Sequence, residues 1–304
     1  MKQRFYSNGK LLITGEYVVL DGAKAFALPT KFGQSLQVEE ASGNLIQWTS
    51  YDSDGSIWFE DTISFASVIR KEHADETGNI KNTLIDILHE AYLMHPDFIT
   101  QGNGYRIATE LTFPKNWGLG TSSTLINNVA QWLHIDAFEL LQRSFGGSGY
   151  DIACAQNNSG ILYQLVDDKP RVELVEFHPD FADKIFFVYL NKKQNSKAAI
   201  ASYFGKHGAI YKTIPVIDSL TQEVIEAQQP QDFAKALAQH EIELSNILEL
   251  STVKEMLFDD FDGVIKSLGA WGGDFVLSIS KENPTAYFKS KGFETVIPYH
   301  EMIL

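Results

Sequence analysis

The 304-residue chain carries 39 acidic against 25 basic side chains, and its net charge of −14 weighs against nucleic acid or an anionic membrane as a partner. Its hydrophobic content of 44% suffices for two modest cores, and a single cysteine, Cys154, excludes an internal disulfide and fits a reducing compartment. The start MKQRFYSNGK has no apolar leader segment and no apolar run approaches about 18 residues, so the expectation is a cytoplasmic protein with no membrane partner.

In chain order, residues 11–20 (LLITGEYVVL) are apolar and β-branched and predict a strand. Residues 34–41, 45–52 and 56–65 alternate apolar and polar side chains between Gly, Ser, Asn and Asp, the pattern of half-buried strands. From Asn82 the period changes. Leu84, Ile85, Leu88, Ala91 and Tyr92 fall on one helical face, with Asn82 as its cap. Residues 105–113 return to strand and lead into a glycine-rich stretch followed by a helix-like run, LINNVAQWL. Asp136 and Glu139 predict a D-x-x-E cap on a helix over AFELLQRSF. Residues 160–165 read as the strand that closes this half.

The polar stretch VDDKPRVE (166–173) is the boundary candidate, dividing the chain into 1–168 and 169–304. Beyond it come a buried strand (184–191), a basic segment, KKQNSK (192–197), and helices over about 198–206, 213–228 and 231–249. Residues 259–269 predict a helix ending at Gly269. A strand (275–280), a helix (284–291) and a strand (293–299) complete the order. The pattern is α+β in two halves.

Chemistry concentrates in PKNWGLGTSST (114–124). Gly118 and Gly120 let backbone approach a ligand closely, and the helix start behind them presents unpaired N–H groups to an anion. Thr121, Ser122 and Ser123 add hydroxyls able to bind phosphate oxygens or Mg²⁺. The same residues also make an ordinary turn before a helix. The stretch is neither a Walker loop, whose Lys and spacing it lacks, nor a dinucleotide fingerprint. Further glycine clusters lie at 7–22, 146–155 and 268–280, each beside an apolar run, as expected of loops converging on one ligand. Asp151, after Gly-Ser-Gly and before IACAQ, reads either as a helix cap or as a functional carboxylate. Lys10 reads either as a solvated edge lysine or as a site cation.

On these segments the chain resembles the GHMP kinases, the family of galactokinase, homoserine kinase, mevalonate kinase and phosphomevalonate kinase. The family's P-G-K-x-x-L-x-G-E pattern is met from Gly9, with Asn8 for Pro and Ile13 for Leu, and runs to Gly22. P-x-x-x-G-L-G-S-S-[AS] is met from Pro114 to Ser123 with Thr121 for the first Ser. G-S-G-x-D is met from Gly147 to Asp151, and G-A-G-G-G-D from Gly269 to Asp274 with Trp271 for a glycine.

The resemblance implies a ribosomal-S5-like amino-terminal domain and a ferredoxin-like carboxy-terminal domain with the active site in the cleft between them. It implies ATP and Mg²⁺ as cofactors, and mevalonate or phosphomevalonate as the small-molecule substrate of a monomer or homodimer. Asp151 then orients or deprotonates the accepting hydroxyl. Lys10 keeps that carboxylate ionised and bonds the transferring phosphoryl group. Pro114, Gly118, Leu119, Gly120, Thr121, Ser122 and Ser123 hold the ATP phosphates, and Ser122 is the metal ligand. Glu16, Gly149, Lys193, Lys197, Trp271 and Gly272 fall around the substrate. The Glu that mevalonate kinases carry 11 residues before the aspartate is Leu140 here, as in phosphomevalonate kinases, which lack it too. Another small alcohol, a sugar or homoserine, and a non-catalytic nucleotide-binding homologue are the alternatives. A serine hydrolase is not, because GGSGYD lacks G-x-S-x-G.

Overall fold

The computed structural model describes residues 2–73, 79–194, 200–201, 203–204 and 210–304. The chain folds as two compact units built from interleaved segments. One takes the residues up to Gly9 together with Phe32–Lys115 and Leu119–Gln156, and the other takes Lys10–Lys31, Asn116–Gly118 and Asn157–Leu304. Two long strands, β1 (Lys2–Thr14) and β2 (Ala25–Glu40), contribute to both.

In the first unit β3 (Leu45–Tyr51), β4 (Ile57–Ser64) and β5 (Tyr105–Leu111) join the second half of β2 in the order β4-β3-β5-β2. The β3–β5 pair is parallel and the others antiparallel. Alternation places Ile46 and Trp48 of β3 and Tyr105, Ile107 and Leu111 of β5 on the buried face. Helices α1 (Phe65–Arg70), α2 (Ile80–Met94), α3 (Asp97–Thr100), α4 (Thr121–Leu133), α5 (Ala137–Ser144) and α6 (Tyr150–Gln156) complete the unit. Leu84, Ile85 and Leu88 of α2, Ile126 and Val129 of α4 and Leu140 and Leu141 of α5 share its core.

Two caps differ from expectation. Asn79, not Asn82, caps α2 by accepting the Lys81 N–H. Asp136 caps α5 alone, accepting from Phe138 and Glu139, while the Glu139 carboxylate pairs with Arg143 one turn on.

In the second unit residues 25–27 of β2 pair with β6 (Gly160–Val166), and β6 pairs with β7 (Lys169–Val175). The polar 166–173 stretch is therefore a hairpin. Asp167 and Asp168 form its two-residue turn, at φ 51° and 59°, the left-handed pair a type I′ turn requires. A second, four-stranded antiparallel sheet has the order β11-β8-β10-β9, from β8 (Ile185–Tyr189), β9 (Val264–Leu268), β10 (Phe275–Ile279) and β11 (Val296–Pro298). Helices α7 (Ile210–Glu226), α8 (Pro230–Leu248), α9 (Val253–Leu257), α10 (Thr285–Ser290) and α11 (Tyr299–Met302) accompany it.

The expected helix over 259–269 is not there. Its second half is β9, whose Ile265, Lys266, Ser267 and Leu268 are all buried. The strand expected over 11–20 stops at Thr14, and Val18–Asp21 form a 3₁₀ turn. Of the helix expected at 198–206, residues 198, 199, 202, 205 and 206 lie outside the described residues. No described helix is long and apolar enough to cross a membrane.

Candidate active site

In the first unit the candidate residues gather at the start of two helices. Gly120, at φ 97°, opens α4 with no side chain capping it, so the first-turn N–H groups have no side-chain cap partner. The three hydroxyl residues expected to act together are divided by the fold. The Ser123 hydroxyl donates to the Gly120 carbonyl at 2.9 Å and is buried. Ser122 and Thr121 are partly exposed, and their hydroxyls make no hydrogen bond with the described residues. Leu119 is fully buried and Pro114 exposed.

A buried polar lattice fixes α4. Ser7 donates to Asn128 at 2.8 Å and accepts from Asn127 at 2.9 Å, Asn128 donates to the Gln34 carbonyl at 2.9 Å, and Thr124 donates to the Gln34 side chain at 2.9 Å. Satisfied networks of this kind specify one seating for a helix. The helix of Asp151, α6, packs against α4, and Gln156 donates to Asn127 at 3.1 Å. Asp151 lies in the first turn of α6, partly exposed, its carboxylate accepting the Ile152 N–H at 3.1 Å. Gly149, buried and at φ 93°, precedes it. Leu140, at the position of the family Glu, is wholly within the core.

In the second unit Lys10 donates to the Gly118 carbonyl at 3.2 Å. Gly118, at φ 71°, lies flush against the Asp274 carboxylate, where a Cβ would stand 2.3–2.7 Å from the carboxyl carbon and oxygens. Only glycine fits that approach. Asp274 is buried, and burial raises its carboxyl above the usual range against the Gln194 N–H, which it accepts at 3.1 Å, and the charges of Lys10 and Lys193. Lys193 is exposed, and Lys197 lies outside the described residues. Gly272, at φ 76°, is partly exposed beside Gln194.

Glu16 and Trp271 point inward. Glu16, 2% exposed, pairs with Lys266 at 2.6 Å, and Lys266, 0% exposed, also meets Glu241 at 3.3 Å. Burial pushes the Glu16 carboxyl up to about 7 despite Lys266. For Lys266, burial is outweighed by the two carboxylates, and its ammonium is held above the usual range. Glu241 also accepts the Ser267 hydroxyl at 2.7 Å.

His240 Nε2 accepts the Gly15 N–H at 2.9 Å, and burial, aided by Lys266, holds the imidazole well below its ordinary range and so neutral. Its 3.8 Å approach to Glu16 is thus no ion pair. Trp271 sits among Tyr17, Val18, Tyr203 and Leu244, and its indole donates to the Ser251 carbonyl at 3.0 Å. The Tyr17 hydroxyl accepts the Trp271 N–H at 2.8 Å, holding a non-glycine residue at φ 64°. Such a conformation costs about 1–3 kcal/mol and persists only where its surroundings enforce it.

Sequence reasoning missed three members of this arrangement: Asp274, Lys266 and His240. Asp274 closes the third glycine motif and was legible as a motif position. Nothing local marks the other two.

No protein-family model matches the sequence, and no curated protein matches it. Solved structures do. The mevalonate kinase of Methanococcus jannaschii superposes with a TM-score of 0.70 at 17% identity, over 97% of this chain and 96% of that one. The phosphomevalonate kinase of Streptococcus pneumoniae, in complex with phosphomevalonate and AMPPNP, gives 0.70 at 15% identity, over 97% and 99%. The galactokinase of Lactococcus lactis, complexed with galactose, gives 0.63 at 13%, over 95% and 88%. The chain has the α+β fold of the GHMP kinases.

Proposed function

We propose that the chain is a GHMP-type kinase that transfers the γ-phosphoryl group of ATP to the hydroxyl of mevalonate or phosphomevalonate. The observation that carries this reading is the uncapped start of α4, with the Thr121 and Ser122 hydroxyls unspent beside it and the Asp151 helix packed against it. The N–H groups of that turn bind phosphate oxygens, and the helix dipole favours their charge.

Asp151 holds the accepting hydroxyl in line and takes its proton late, while the Lys10 ammonium stabilises charge on the moving phosphoryl group. Glu16, buried against Lys266, and Trp271, buried in the core, serve the substrate through the loops they hold. Lys193 and Gly272 are the candidates for direct contact, and the acidic chain makes such a lysine the place for an anionic acceptor. A place in the cytoplasm and a monomeric or homodimeric state belong to the same reading, as does a domain boundary at 168/169.

The residues present fit Mg²⁺ that arrives with the nucleotide. One partly exposed hydroxyl, Ser122, is at hand, and the described residues hold no cluster of three or more His, Cys, Asp or Glu able to form a protein cage. Mg²⁺ commonly keeps several waters and takes substrate phosphates as ligands. When bound it neutralises phosphate charge.

The test is ADP release measured over mevalonate, phosphomevalonate, homoserine and galactose, with wild type and Asp151→Asn. The expected result is turnover with one of the first two and a fall of at least about 10²-fold in the variant at unchanged Mg-ATP affinity. Turnover with galactose or homoserine alone reassigns the acceptor. Near-normal turnover in Asp151→Asn removes Asp151 from the chemistry.

A further inference from the structure

Asp274 has no part in the reading above, yet it stands where three segments of the second unit meet. Residues 190–194 and 271–274 are zipped together beyond the β8–β10 pair. Leu190 donates to the Asp274 carbonyl at 2.8 Å, Asp274 to the Lys192 carbonyl at 2.8 Å, and Gln194 to the Trp271 carbonyl at 2.9 Å. This zipper aims a buried carboxylate at the bare backbone of Gly118, the residue whose carbonyl Lys10 grips. The charged and titratable groups that feel it are Lys10 on β1, Lys193 after β8, and the hydroxyls of Tyr189 and Tyr17, both held above their usual range by burial and further by Asp274. A negative group beside a phosphate-binding backbone opposes the ligand. Its own burial is offset by the Gln194 N–H and, until a ligand draws on them, by the two ammonium groups.

We propose that Asp274 is a positioning residue: its carboxylate holds Lys10 towards Gly118 before a nucleotide arrives, and takes a proton from solvent when the triphosphate takes the Lys10 ammonium over. The inference rests on the reading of 114–123 as a nucleotide site. Phosphate at Gly118 adds negative charge against the carboxylate and draws off the Lys10 ammonium that favoured its charged form, so both changes favour the neutral acid. Mg-ATP binding is thereby coupled to uptake of one proton, and affinity falls as pH rises through the range in which that uptake occurs.

The experiment is calorimetric titration of Mg-ATP into wild type, Asp274→Asn and Lys193→Met between pH 5 and 8, in paired buffers of different ionisation enthalpy. Wild type is expected to take up more protons than Asp274→Asn, by up to one. Its affinity should fall by up to about tenfold per pH unit in that window, with a flat profile in the variant. Lys193→Met, altered on an exposed side chain, removes one offsetting charge and should move the uptake window to higher pH. Binding with equal uptake and parallel pH profiles in wild type and Asp274→Asn overturns the proposal alone, as does an unmoved window in Lys193→Met should Asp274→Asn not fold. Absence of Mg-ATP binding by wild type overturns the nucleotide reading and this proposal with it.

Discussion

Replacing Glu16 by Gln probes the buried Glu16–Lys266–Glu241 group through its proton. Two carboxylates share one ammonium there, and burial lifts the Glu16 carboxyl from its ordinary 4.5 to about 7. Between those values the unfolded chain has released the proton that the folded chain keeps. Folding therefore binds a proton in this window, and stability falls as pH rises through it. The 4.5-to-7 interval corresponds to about 3 kcal/mol, at roughly 1.4 kcal/mol per unit.

Gln resembles the protonated acid and does not titrate. Wild type and Glu16→Gln should therefore melt together near pH 5, and the variant should melt higher by pH 8. At about 2–4 °C per kcal/mol the separation is about 6–12 °C. The assay is the difference in Tm between the two proteins in half-unit steps of pH. His240 contributes the opposite slope, because its folded value is lowered and stability rises with pH towards 6.5, but it is present in both proteins and largely cancels. Parallel curves from pH 5 to 8 would refute the shared-proton account.

Three further outcomes follow from the geometry. Lys266→Met strands two buried carboxylates and should cost about 3–5 kcal/mol in urea unfolding, with part of the loss recovered at pH 5, whereas a loss independent of pH would point to packing alone. Ser122→Ala should raise the Mg²⁺ concentration needed for half-maximal activity without changing stability. Ser123→Ala should do the reverse and cost about 1 kcal/mol for the lost bond to Gly120, and identical behaviour of the two would erase the division of the loop hydroxyls. Gly15→Ala combines φ 85° with a Cβ 2.7 Å from Ala25, so the protein should lose more than about 1–3 kcal/mol, and an unchanged thermal midpoint would contradict the tight turn.

Where burial follows from nearest neighbours in the sequence, the residues disclosed it. The alternation in 45–51 and 105–111 gave β3 and β5, and the four-residue spacing of Leu84, Leu88 and Tyr92 gave α2. Failure came where a polar side chain is buried by partners distant in sequence. Phe261, Ile265 and Leu268 with Val264 have helical spacing, and Lys266 and Ser267 between them read as a solvated face. Those two are in fact buried against Glu16 and Glu241, 250 and 26 positions away, so no window around 259–269 could show the segment to be a strand.

The candidate site divides along the same line. The turns at Gly118 and Gly120 and the helix start at Asp151 are local and could be read from neighbouring residues, whereas the service of Ser123 to its own loop and the insertion of Trp271 into the core depend on the folded chain. Asp274 was visible only as the last letter of a motif. Its meeting with Gly118 depends on tertiary folding.

The ion group that joins Glu16, Glu241 and Lys266 also limits how this sequence can drift. Removing the one ammonium leaves two carboxylates facing each other in the interior, while a joint change of all three to apolar side chains of similar volume can be neutral or favourable. Descendants of this chain should thus keep Lys266 wherever both acids are kept, or exchange the trio as a set. A lineage with Leu or Met at 266 is expected to have lost both acids, and with them the proton-dependent stability, while its glycine loops remain free to follow a new acceptor.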